Sequence, residues 1–135
     1  MRFMMLMIPK DYATAPADML PPTEAIATMT KYNEELQNAG VLLALDGLTP
    51  AAKGARVTFS GGKASVHDGP FAEAKEVLGG FWIIDVRSKD EAVAWARRCP
   101  ASDGDVIEVR QVQEFEDFPP EVQAMFAEAG FPSGR

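Results

Sequence analysis

The stretch VHDGPFAEAKEVLGG at residues 66–80 sets the chain's single histidine, His67, beside Asp68, with Glu73, Lys75 and Glu76 close behind a Gly-Pro bend. A carboxylate next to an imidazole has the composition of an acid–base site. Asp68 can act as a general acid or base, or hold His67 in one tautomer, so Asp68 and His67 are the catalytic candidates. The candidate ligand-binding residues are Arg110, Glu108, Arg56 and Glu73. Glu108 and Arg110 fall on one face of the strand pattern VIEVRQV, where a guanidinium can clamp an anionic ligand. Each of these groups also has a purely structural reading. Asp-Gly-Pro is turn chemistry, and Asp68 can cap a short helix over PFAEAKE, with Pro70 in the first turn and Glu73 near the positive end. Glu108 and Arg110 can form an ion pair on a solvated face. Ser65-x-His67 is no triad, because no orienting acid accompanies it. Neighbouring strand residues point to opposite faces, so His67 and Asp68 meet only if the chain bulges or turns at Gly69.

Other chemistries find less support. One histidine and one cysteine, Cys99, in unrelated segments are a poor metal-ligand set, and no loop has Ca²⁺ or Mg²⁺ spacing. Gly79-Gly80 lacks the GxxxxGK[ST] pattern of a phosphate loop and instead suggests a bulge or a close backbone approach. No metal and no cofactor are expected. A net charge of −7, with Arg97-Arg98 as the densest basic cluster, argues against direct nucleic-acid binding and against anionic membranes. A lone cysteine excludes an intramolecular disulfide. The apolar start MRFMMLMI ends at Pro9, too short for a typical signal peptide, and the expected location is cytoplasmic.

The elements that must carry these residues can be read from periodicity. RFMMLMI (2–8) and FWIIDV (81–86) are apolar on both alternating faces and suggest buried strands. Residues 9–22, with four prolines, read as a loop. From Thr23 a helix shows the stripe Ala25, Met29, Tyr32 and Leu36 and stops at Gly40, and VLLAL (41–45) is a second strand. ARVTFS and KASVH flank Gly61-Gly62 as a two-residue hairpin. Pairing Ser60 with Lys63 sets Phe59 opposite Ala64 and Val57 opposite Val66, with Arg56 facing His67 and Thr58 facing Ser65. Ser88 to Glu91 forms a capping box that opens a helix ending before Pro100. VIEVRQV (106–112) is the last strand, and EVQAMFAEA a short amphipathic tail helix. Two helices cannot cover both faces of so apolar a sheet. The arrangement that satisfies this is an α+β ferredoxin-like fold with an inserted β-hairpin, helices on one face and a second subunit's sheet on the other, giving a homodimeric α/β barrel. Trp82 or Phe81 should be largely buried.

DGPFAEAKEVLGGFWI resembles the signature of the DGPF group within the YCII-related proteins. The opening RFMMLM, the helix end WARRCP and IEVRQV, where Gln111 replaces the family's usual proline, agree with it. The resemblance covers the chain to about Gln113, so the expected organisation is a domain at 1–113 and a C-terminal tail with a short helix at 114–135. It implies a dimeric α/β barrel of ferredoxin-like fold and places Asp68 at the site, while His67 lies outside the DGPF core. Related members include small enzymes acting on ring compounds, described as dehydrochlorinases, and the wider fold hosts muconolactone isomerases and monooxygenases. Many DGPF proteins are encoded beside alternative sigma factors.

Two functions follow as expectations. The first is a small cofactor-independent enzyme performing isomerase-, lyase- or dehydrochlorinase-like acid–base chemistry on a small organic molecule, with Asp68 as acid or base, His67 auxiliary and Arg110 the anion anchor. The second is a non-catalytic ligand- or partner-binding module, with a regulatory protein as partner, associated with sigma-factor regulation.

Overall fold

A computed structural model describes residues 1–131 of the chain. The strands are β1 (Arg2–Ile8), β2 (Leu42–Gly47), β3 (Ala55–Ser60), β4 (Lys63–Asp68), β5 (Gly80–Asp85) and β6 (Val106–Gln111); the helices are α1 (Thr23–Asn38), α2 (Lys89–Arg97) and α3 (Pro120–Glu128). The class is α+β. Four strands form one antiparallel sheet in the order β2-β5-β1-β6, and β3 and β4 form a separate hairpin.

The period-2 alternation of β1 and β5 decides which face is sealed. Phe3, Met5, Met7, Trp82 and Ile84 are buried together with Tyr32 and Leu36 of α1 and Ala92 of α2. The Tyr32 and Trp82 rings meet edge to face at 5.8 Å, a favourable aromatic geometry. Their polar ends are satisfied: the Tyr32 hydroxyl donates to the Trp95 carbonyl at 2.6 Å and the Trp82 indole N–H to Asn33 Oδ1 at 2.8 Å. The intervening residues Met4, Leu6, Ile8, Phe81 and Ile83 point to the opposite face and are only half-buried. Trp82 is therefore in the core and Phe81 on the open face.

Some elements differ from the sequence reading. β2 begins and ends later than VLLAL and is bulged between Leu42 and Ala44. Ala25 is exposed, because α1 meets the sheet only from Met29 onward. Half of the capping box forms: Ser88 Oγ accepts the Glu91 N–H, but the Glu91 carboxylate takes the N–H of Arg87, one residue before the cap. No helix forms over PFAEAKE, where the Ala74 N–H closes a single turn onto the Phe71 carbonyl. Seven residues are too few to repay helix nucleation without a packed apolar face. Gly79 does serve a close approach, since a Cβ there would strike Pro9. The tail helix forms over Pro120–Glu128, and positions 132–135 of the expected tail lie outside the described residues.

Candidate functional site

The hairpin register is the one that the pattern of residue types dictates. Ser60 pairs with Lys63, Phe59 with Ala64, Thr58 with Ser65, Val57 with Val66 and Arg56 with His67, and the ladder continues regularly to Ala55 and Asp68. Gly61 and Gly62, with φ of 58° and 77°, make the turn that matches the strand twist. This regularity separates the two catalytic candidates. His67 shares a hairpin face with Arg56, Thr58 and Ser65, whereas Asp68 falls on the other face with Val57, Phe59, Ala64 and Val66. No bulge at Gly69 brings them together. Both are exposed.

Arg56 turns away from the hairpin tip. Its guanidinium lies 4.2 Å from the centre of the Phe71 ring, within the range of a cation–π contact. Phe71 also lines an open cavity of about 380 Å³, together with Ala13, Ala15, Ala52, Pro70 and Ala74 among others. Three separated segments build its wall: the turn after Pro9, the turn at Ala51–Lys53 and the loop that follows the hairpin. Gly69 holds the last two together. Its N–H donates to the Gly54 carbonyl at 2.8 Å, and a Cβ on it would overlap the Ala51 carbonyl. A side chain here would push the loop off its seat. The lining is apolar apart from Thr14, whose hydroxyl donates to the Asp11 carbonyl. The volume falls in the range of small-molecule pockets.

The other candidates lie apart from this cavity. Glu108 and Arg110 stand on the open sheet face, in register with Leu6 and Met4, and pair with each other at 3.1 Å. Arg110 is thus engaged by Glu108 on a different sheet from His67 and Asp68. Glu73 is exposed in the loop after Phe71 and has no helix end to complement. Among the described residues no group of three or more His, Cys, Asp or Glu side chains could hold a metal ion. No helix among them is long and apolar enough to cross a membrane.

The residue that links cavity to charge is Phe71, which the sequence reading treated only as part of a motif. The signal was present in the alanines and prolines of 13–16 and 70–74, but such small residues carry no periodicity that reveals a shared wall.

The model of the YCII-related domain family matches residues 1–116. An uncharacterised protein of Rhizobium meliloti (strain 1021) is 45% identical over 71 residues, which is 53% of this chain and 54% of that protein. The chain thus matches about half the length of that relative.

Proposed function

The chain belongs to the YCII-related domain family, and on that premise we propose that it binds a small organic molecule, with an apolar body and an anionic group, in the cavity beneath the DGPF segment. One observation carries this reading: Phe71 both lines the cavity and carries the Arg56 guanidinium at 4.2 Å. An aromatic wall with a fixed cation at its edge suits a ring that bears a carboxylate. The anion anchor in this reading is Arg56, because Arg110 already has Glu108. Acid–base chemistry on the bound molecule falls first to His67, opposite Arg56 on the same hairpin face. Asp68, on the other face at the strand end, acts only if the chain rearranges at Gly69.

Benzoate and its neutral isostere benzamide test the binding. Calorimetry should show benzoate binding about tenfold more tightly, the worth of one charge-assisted hydrogen bond. Arg56→Gln should bring benzoate down to the benzamide level, and Phe71→Ala should weaken both. Benzoate affinity that ignores both substitutions would rule the cavity out.

A second reading concerns assembly. The order β2-β5-β1-β6, with a helix crossover in each half, supports a ferredoxin-like fold. The half-buried apolar face of Met4, Leu6, Ile8, Phe81 and Ile83 supports a second copy's sheet as its cover, the homodimeric barrel.

A further inference from the structure

Taking the cavity beside Phe71 as the seat of the ligand's apolar body, as proposed above, we infer that the ligand's anionic group is a phosphate monoester held by the polar face of the β3–β4 hairpin. The register places six side chains on that face in three cross-strand pairs: Arg56 with His67, Thr58 with Ser65, and Ser60 with Lys63. All six are exposed, and they comprise two cations, an imidazole and three hydroxyls, with no carboxylate. Asp68, the hairpin's one acid, falls on the other face with Val57, Phe59 and Val66. A merely solvated strand face in a chain of net charge −7 has no reason to exclude carboxylates. The other strand arginines do have acidic partners: Arg2 meets Glu114 at 2.7 Å, and Arg110 meets Glu108 at 3.1 Å. Among the described residues Arg56 and Lys63 form no ion pair. The hydroxyls are equally available. Thr14, Thr28 and Thr30 each donate theirs to a nearby backbone carbonyl, whereas those of Thr58, Ser60 and Ser65 have no hydrogen-bond partner among the described residues.

Arg56 ties this face to the cavity, since its guanidinium lies 4.2 Å from the centre of the Phe71 ring and Phe71 lines the cavity. A carboxylate has two oxygens in one plane, which a guanidinium fork satisfies alone. A phosphate monoester carries about two negative charges on three terminal oxygens and takes donors from several directions. The hairpin offers them at a suitable spacing. Directly opposed side chains of an antiparallel pair have Cβ atoms about 5 Å apart. Successive pairs on one face are about 7 Å apart along the strand, so a phosphoryl group between two of them is offset by about 3.5 Å from each. Between the first two pairs it meets the Arg56 guanidinium and a His67 ring N–H from one, and the Thr58 and Ser65 hydroxyls from the other. No carboxylate on the face repels it.

Calorimetry of the full chain with benzoate, phenyl phosphate and inorganic phosphate separates the phosphate assignment from the cavity itself. Phenyl phosphate should bind about tenfold more tightly than benzoate, the worth of the added charge-assisted hydrogen bonds. Inorganic phosphate, which has no ring for the cavity, should bind several-fold more weakly than phenyl phosphate. Thr58→Val combined with Ser65→Ala should bring phenyl phosphate down to the benzoate level and move benzoate far less. Both positions are exposed and valine keeps the branched shape of threonine, so an unchanged melting temperature is expected. Val66→Thr, on the opposite face, should alter neither affinity. Benzoate binding with phenyl phosphate no tighter, or a phenyl phosphate affinity indifferent to the double substitution, overturns the phosphate assignment and leaves the cavity reading standing. Phenyl phosphate that binds no more tightly than inorganic phosphate marks an anion site unconnected with the cavity, and also overturns it. Failure of all three to bind overturns both.

Discussion

At the scale of single residues, Arg56 is placed by two contacts, its strand partner His67 and the Phe71 ring under its guanidinium. The pairing of Arg56 with His67 followed from a glycine turn and strict alternation, which leave only one self-consistent register. The seat of Arg56 on Phe71 did not follow, because it depends on the path of residues 70–79, which no periodicity governs. Two groups that no functional reading uses still govern the response to alkali. Burial, aided by Asp105, pushes the Cys99 thiol from its ordinary 9.0 up to about 11. Burial likewise raises the Tyr32 phenol, which is hydrogen-bonded to the Trp95 carbonyl. In both cases the fold favours the protonated form. The stability they contribute is complete below the unfolded-state values and is lost as pH rises through the folded ones. The melting temperature should therefore fall between about pH 9 and 11. Cys99→Ala should flatten the first part of that fall and leave the Tyr32 part above pH 10. A profile that Cys99→Ala does not alter would mean the thiol is solvated.

At the scale of elements, long periodic segments announced themselves, and short ones were decided by tertiary context. The runs of β1 and β5, apolar on both faces, marked buried strands without marking which face is sealed, and the stripe of Tyr32 and Leu36 marked the helix side that seals it. The stretch PFAEAKE had helix chemistry at its start but too little length, and the loop instead turns Phe71 and Ala74 toward the cavity. The capping pattern at Ser88 was legible, though only in its forward half. Ser88 Oγ accepts the Glu91 N–H at 3.1 Å, while the Glu91 carboxylate reaches past the cap to Arg87. Ser88→Ala should cost about 1 kcal/mol in urea unfolding. Ser88→Asp should cost little, since a carboxylate caps as well and sits favourably at a helix start. Equal losses in the two variants would show that burial at Ser88, not capping, is what matters.

At the scale of the whole molecule, the sequence argued for more cover than one chain supplies, and the open sheet face keeps that argument alive. Ile83 sits in the centre of this face, paired with Met4 on β1 and Ala44 on β2. Wild-type protein should sediment as a dimer at micromolar concentration, and Ile83→Asp should sediment as a folded monomer, since a buried unpaired carboxylate is costly at an interface. A wild-type monomer would contradict the barrel. The cavity, by contrast, exists only because three distant segments converge. No local pattern announced that convergence. Five alanines line the cavity: Ala13, Ala15, Ala52, Ala72 and Ala74. The most direct test is an alanine-methyl NMR titration of the full chain with benzoate. Saturable shifts are expected at those five methyls, with little change at core Ala92 or at Ala44 on the open sheet face, and the response should be lost in Phe71→Ala. Shifts centred on Ala44, or none at the five, would contradict binding in the cavity.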